Sequence, residues 1–292
     1  MSYFTCFGEV LWDIFPNEVK IGGAPLNVAF RLRTFENNVA IISAVGKDIL
    51  GEKIIQYLDD NLINTEFIQT LDDFQTGKVN VSLDVDGSAS YEIQFPAAWD
   101  HIQMNKRVLT QVEQSNVFIF GSLACRNSVS KNTLFDLLKV ANFKVFDVNL
   151  RPPHFSQEIL NELMSMATFI KFNEEELELI AKDLGANYNS VEGKMTFISN
   201  FYKTKYVCVT KGGDGAILLI EGSFYYNAGY KIIVKDTVGA GDSFLATLIN
   251  NLLSDVKPQT ALNYACAVGT LVAGNEGANP GILEKDIINL MK

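Results

Sequence analysis

The 292-residue sequence predicts an α/β fold with a mostly parallel central sheet and a small antiparallel sheet beside it, and three observations carry that prediction. Short apolar runs of strand length alternate along the chain with segments of helical period. The runs are apolar on both faces, as strands are when helices cover either side of a sheet. One segment, Thr76–Gln94, breaks the rhythm with an apolar/polar alternation interrupted at Asp86-Gly87, the mark of an antiparallel hairpin.

The elements follow in order. Phe4–Leu11 reads as the first strand, and the amphipathic stretch Asn27–Phe35 as the first helix. Ala40–Ala44 and Gly51–Asn61 repeat that strand-then-helix pattern. Beyond the hairpin come strand Asn116–Phe120, helix Ser130–Val140, strand Lys144–Asp147, helix Ser156–Met166, strand Phe169–Phe172 and helix Glu174–Leu184. Two further runs, Tyr206–Thr210 and Ala216–Ile220, flank a glycine-rich turn. The segment from Thr247 to Ala273 reads as apolar helix with a break at Lys257-Pro258. Ligands of such sheets gather beyond the carboxyl ends of the strands, and Asp13, Asn149, Arg151, Asn173 and Thr210 each fall just past a run.

Composition narrows the function. Hydrophobic residues at 48% and charged residues at 20% suit a globular protein, and residues 1–292 are expected to form one domain. A formal charge of −10 argues against sequence-independent nucleic-acid binding, which needs a basic face. It leaves room for an anionic nucleotide, since a local cradle and a metal ion can outweigh the global sign. Cys6, Cys125, Cys208 and Cys266 are scattered and read as reduced core residues. His101 and His154 are too far apart to suggest a zinc site. With no signal-like start and no bilayer-length apolar stretch, a cytoplasmic protein without membrane partners is expected.

The densest chemistry lies in Asp236-Thr237-Val238-Gly239-Ala240-Gly241-Asp242, which leads into an apolar helical run. A Gly-Ala-Gly turn opening a helix aims unpaired N–H groups and the positive end of the helix dipole at one spot, which suits a phosphate. Asp242 in the same first turn is placed to act as a base beside that anion. Glycine and aspartate are also ordinary helix-start residues, so the heptad alone does not decide between the two readings.

Its company does. The heptad resembles the C-terminal signature of the ribokinase-like (PfkB) carbohydrate kinases. Gly8-Glu9-Val10-Leu11-Trp12-Asp13 with Gly22-Gly23-Ala24-Pro25-Leu26-Asn27-Val28-Ala29 is similar to that family's sugar-binding segment. Ser43-Ala44-Val45-Gly46-Lys47-Asp48, Asp147-Val148-Asn149-Leu150-Arg151, Asn173-Glu174-Glu175-Glu176 and Thr210-Lys211-Gly212-Gly213-Asp214-Gly215 follow in the family's order. The resemblance spans essentially the whole chain. It implies a three-layer ribokinase-like fold, with the hairpin and Trp12–Lys20 forming a small β lid over segments of about 12–20 and 75–100.

It also implies roles. Asp242 would be the general base, with Gly239, Ala240 and Gly241 forming the anion hole and the N–H groups of Ala240, Gly241 and Asp242 as its donors. Asp13, Gly22, Gly23, Asn27 and Arg151 would bind the sugar, although Asn27 also suits a helix N-cap and Arg151 a structural ion pair. Thr210, Lys211, Gly212, Gly213 and Gly215 would contact ATP. Asn173 and Glu176, at i and i+3, would organise Mg2+ and the phosphates through water. Asp236 and the loop Gly277–Gly281 would hold a monovalent cation such as K+. Apolar residues on a thin sheet would pack against a second copy, so a homodimer through the lid is expected.

Subgroup features point to a fructokinase. Gly22-Gly23-Ala24-Pro25 stands where ribokinase-like members usually carry a lysine after the glycine pair, and Ala97-Ala98-Trp99-Asp100 follows the hairpin. His154-Phe155 replaces the Leu-Trp usual in fructokinases, which leaves 2-keto-3-deoxygluconate kinase or another sugar or nucleoside kinase as alternatives. A silent sugar- or nucleotide-sensing protein is the alternative of a different class, and it has no need of Asp242. A dinucleotide oxidoreductase is disfavoured, because Gly22–Asn27 stands where its Gly-x-Gly-x-x-Gly would lie.

Overall fold

The structure, a computed structural model, describes residues 2–83 and 89–292, and side chains outside 82–91. The chain groups into two compact units, Met1–Phe118 with Leu123–Asn142, and Ile119–Ser122 with Phe143–Lys292.

The first unit contains β1 (Tyr3–Phe7), β2 (Leu11–Ile14), β3 (Val19–Gly22), α1 (Ala24–Thr34), β4 (Asn38–Gly46), α2 (Ile49–Asp60) and β5 (Ile68–Leu71). It continues with β6 (Gly77–Leu83), β7 (Ala89–Ile93), α3 (Lys106–Gln114), the start of β8 (Val117–Gly121) and α4 (Ser128–Leu138). Its main strands run in the order β8-β1-β4-β5, with β1, β4 and β5 parallel. Every residue of β4 after Asn38 is buried, which is why its sequence is apolar rather than alternating.

The run Phe4–Leu11 is not one strand. β1 ends at Phe7, and Gly8, with φ at 138°, takes the chain out of extended geometry. The Gly8 carbonyl accepts the Ser43 hydroxyl at 2.6 Å, and the chain then enters a different sheet as β2. That sheet has the order β3-β2-β6-β7. β2 pairs antiparallel with β3 and β6 with β7, whereas β2 and β6 are parallel. The expected hairpin is therefore present, and its Asp86-Gly87 turn lies outside the described residues.

Val79 and Val81 of β6 pack with Leu11 under Phe15 and Ile93, at 5% and 4% exposure. One chain covers them by itself, which removes these two residues from the argument for a dimer.

The second unit holds β9 (Phe143–Asp147), α5 (Gln157–Met166), β10 (Phe169–Asn173), α6 (Glu174–Asp183), α7 (Val191–Tyr202) and β11 (Tyr206–Thr210). Then come β12 (Ala216–Ile220), β13 (Ser223–Asn227), α8 (Ala240–Leu253), α9 (Pro258–Ala273) and α10 (Glu284–Leu290). The strand order is β13-β12-β11-β10-β9-β8. β9, β10 and β11 are parallel, and β12 and β13 add an antiparallel edge. α8 and α9 pack together, and α9 also covers β12 and β13.

Asp48, Asn105, Asn127, Ser156, Asn173 and Ser190 cap α2 to α7 through their side chains, as such residues do. α1 and α8 instead begin at Gly23 and Gly239 with no side-chain cap. All four cysteines are buried thiols. Among the described residues no helix is long and apolar enough to cross a membrane.

Candidate active site

In the first unit the structure brings Asp13, Gly22, Gly23 and Asn27 together. Asp13 lies within β2, opposite Lys20 and Val79, rather than just past a strand. Gly22 pairs with Leu11, and a Cβ on Gly22 would overlap the Asp13 Oδ2. Only glycine lets that carboxylate lie against the backbone here. The cap of α1 is Gly23, so Asn27 is not the N-cap; its N–H donates to the Gly23 carbonyl at 3.0 Å. The Asn27 side chain is instead buried, at 3% exposure.

In the second unit a cleft of about 730 Å³ is lined on one side by Thr210, Gly212, Gly213 and Gly215. Asn173, Ala240 and Gly241 line it as well, and Ile232, Val234 and Phe244 give it an apolar wall. Lys211 shares the glycine-rich loop but is not one of the lining residues; its N–H closes the loop onto the Gly215 carbonyl at 2.8 Å. Thr210 Oγ1 donates to the Phe172 carbonyl at 3.3 Å, tying β11 to β10.

The turn before α8 is held by its neighbours. Gly239 has φ at 76°, and a Cβ there would come within 2.5 Å of the Ala278 carbonyl oxygen, so glycine is required on two counts. Asp236 Oδ1 accepts the Val238 N–H at 3.0 Å and its Oδ2 the Gly277 N–H at 3.1 Å, which joins the heptad to the loop Gly277–Gly281. One expected anion-hole donor is diverted: the Ala240 N–H points to the Thr237 carbonyl at 3.2 Å. A turn that tight closes on itself before the helix begins, and Gly241 and Asp242 remain as the expected donors.

Asn173 and Glu176 form a reciprocal cap at the start of α6. Glu176 Oε1 also accepts the Leu150 N–H at 2.8 Å. Burial raises the pKa of Glu176; Lys171 and the two backbone donors work against that shift, while Asp147 adds to it. Arg151 lies in the loop after β9, which ends at Asp147. It is exposed, and its Nη1 donates to the Leu150 carbonyl at 2.9 Å.

Two charged residues with no assigned role in the sequence reading occupy the same unit. Lys171 Nζ lies 2.9 Å from Asp147 Oδ1, and both side chains are 8% exposed. Burial alone would push the Lys171 ammonium towards neutrality, but Asp147, Glu176 and Asp242 outweigh it, and the net shift is upward. A lysine inside the apolar run Phe169–Phe172 was the signal in the sequence. Tyr230–Val234, which lines the cleft through Tyr230, Lys231, Ile232 and Val234, gave no such signal because it belongs to no regular element.

Among the described residues no group of three or more His, Cys, Asp or Glu side chains could hold a metal ion.

The chain is similar to known fructokinases. A fructokinase-6 of Arabidopsis thaliana, described as probable and chloroplastic, is 26% identical over 98% of this chain and 81% of its own length. A fructokinase of Salmonella typhimurium is 25% identical over 93% of each chain. The crystal structure of a Vibrio cholerae O395 fructokinase double mutant, with fructose, ADP and potassium ion bound, matches with a TM-score of 0.85. That match covers 100% of this chain and 99% of the other at 23% identity, and so shows the shared fold. Residues 5–286 match the family model for pfkB family carbohydrate kinases; the chain belongs to that family and is a sugar kinase.

Proposed function

We propose that the chain transfers the terminal phosphoryl group of ATP to a hydroxyl of a ketohexose, fructose first among them. The observation that carries this reading is the cleft of the second unit. Its glycine-rich loop, Asn173 and the Ala240-Gly241 turn line one space with an apolar wall. A nucleobase suits the wall, and a phosphate chain suits the N–H groups at the start of α8. Fructose is supported by the fructokinases among the relatives.

In this reading Asp13 and Asn27 bind sugar hydroxyls, with backbone approach at Gly22 and Gly23. The sugar oxygen attacks the terminal phosphorus, the bond to the bridging oxygen breaks, ADP leaves, and Asp242 takes the hydroxyl proton. The Gly241 and Asp242 N–H groups stabilise the charge on the moving group. Asn173 and Glu176 would organise a magnesium ion through water, and the ion would supply charge neutralisation along the phosphates. Asp236 and the carbonyls of Gly277–Gly281 are the groups for a potassium ion. Arg151 serves the sugar only by leaving the Leu150 carbonyl. The sheet of β2, β3, β6 and β7 acts as the lid that excludes water, supported by Asp13 standing on β2. A homodimer through this sheet is part of the proposal, supported by Val19 of β3, which is 51% exposed.

The test is ATP consumption measured with fructose, other ketoses, aldoses, nucleosides and 2-keto-3-deoxygluconate. The highest kcat/KM is expected with fructose. A clear preference for the keto-deoxy acid or a nucleoside would move the substrate assignment, and no turnover with any acceptor would favour a sensor.

A further inference from the structure

We propose that Lys171 is a positioning residue of the phosphoryl-transfer step, a buried cation that completes the anion cradle at the start of α8. The proposal rests on the kinase reading above. Lys171 sits on β10 between the buried residues Ile170 and Phe172, where an ammonium is costly to keep. A buried ion pair is weak evidence for stability, because apolar residues of similar volume would serve a core as well. What a pair does in place is the more informative question.

The place is specific. A Cβ built on Gly241 would lie 3.9 Å from the Lys171 Nζ, and among the described residues no atom beyond its chain neighbours and the backbone of its own helix comes as close. The ammonium therefore flanks the turn whose N–H groups the transferred phosphoryl would meet. Three carboxylates face it: Asp147 at 2.9 Å, and those of Glu176 and Asp242 through their charge. One cation serves two functional carboxylates besides its direct partner. The diverted Ala240 N–H adds the reason, since it leaves the cradle with fewer donors than the turn has residues. A fixed positive charge behind Gly241 makes up that shortfall, and away from water it acts strongly.

A counter-ion for Asp147 alone and a cradle cation predict different double variants. Kinetics should be measured for Lys171→Met, Asp147→Asn, Lys171→Arg and the double variant Lys171→Met/Asp147→Asn, with thermal unfolding as the check on folding. The double variant leaves no lone charge at this pair, so it stays informative even if Lys171→Met alone fails to fold. The expected kcat of the double variant is roughly 10²- to 10³-fold below that of Asp147→Asn, the scale of losing one anion-hole donor. Sugar and ATP KM should stay within about threefold, and Lys171→Arg should recover part of the loss. A double variant as active as Asp147→Asn would reduce Lys171 to a counter-ion and overturn the proposal. So would a loss confined to the ATP KM. If the parent phosphorylates no sugar, the kinase reading fails and takes this proposal with it. An active parent with an active double variant sinks this proposal alone.

Discussion

Asn173 and Glu176 cap one another: Asn173 Oδ1 accepts the Glu176 N–H and Glu176 Oε2 accepts the Asn173 N–H, each at 2.8 Å. The third bond, from the Leu150 N–H to Glu176 Oε1, pins the loop after β9 to the same carboxylate. The pair expected to organise magnesium is thus also the start of α6. Substitutions there should act twice, on stability and on metal dependence. Asn173→Ala should cost about 1 kcal/mol of stability, the usual worth of an N-cap, read from urea unfolding. Glu176→Gln keeps one acceptor and loses the charge, so its main effect should be a higher Mg2+ requirement for turnover. An unchanged Mg2+ dependence with the fold intact would leave Glu176 as a cap only.

Asp242 stands in the first turn of α8 beside Gly241, which lines the cleft of the second unit. Asp242→Asn should lower kcat by roughly 10²–10⁴-fold or more, since the hydroxyl proton then has no acceptor. Sugar affinity should largely survive, because Asp13 and Asn27 are unaltered. Near-parental kcat in this variant would remove the residue from the mechanism.

The sequence made some of this site legible and hid the rest for physical reasons. Gly239-Ala240-Gly241-Asp242 was readable because a left-handed residue packed against Ala278 admits only glycine, and the helix that follows is strongly apolar. The Asn173–Glu176 pair was readable because i,i+3 spacing fixes one helix face. The Ala240 N–H was not readable, because its diversion to Thr237 depends on the exact turn geometry. The break at Gly8 hid inside an apolar run, since β1 and β2 are both half or wholly buried in different sheets. The short edge strands β3 and β5 carry too few residues for a periodicity to show. Lys171 was visible as a charge in an apolar strand, but only its distance to Gly241 gives that charge a place.

The set proposed to bind the sugar, Asp13, Gly22, Gly23 and Asn27, makes a sharper prediction than its residue types do. Asp13→Ala and Asn27→Ala should each weaken sugar binding by about 1–3 kcal/mol, the scale of a buried polar partner left unsatisfied. Gly22→Ala should act through Asp13, because the new Cβ would displace the carboxylate Oδ2. Its sugar KM should rise while the ATP KM holds. Calorimetric sugar binding unchanged in all three variants would take the sugar away from this set.

The last prediction concerns Asp48, which fastens the root of β6. Its Oδ1 caps α2 through the Gly51 N–H at 2.8 Å and accepts the Thr76 hydroxyl at 2.7 Å. Its Oδ2 accepts the Thr76 N–H at 2.9 Å, and Thr76 is wholly buried. Burial pushes the Asp48 pKa up, but the bonds from Thr76 and Gly51 and the charge of Lys78 outweigh it, and the net shift is below the ordinary value of 3.8. A depressed carboxylate pKa means that the native state binds fewer protons than the unfolded chain between the two values. The stabilisation is then complete above the unfolded value and is lost as pH falls through the native one. Asp48→Asn keeps one acceptor and removes the charge, so at pH 7 it should cost about 1–2 kcal/mol. The gap between parent and variant should narrow from about pH 4 downward, as the parent carboxylate takes up its proton. Urea unfolding at several pH values from 7 to 3 reads this directly. A gap that stays constant over that range would mean that shape rather than charge holds Thr76. Because β6 pairs with β2, which carries Asp13, the same variant should also raise the sugar KM modestly at neutral pH.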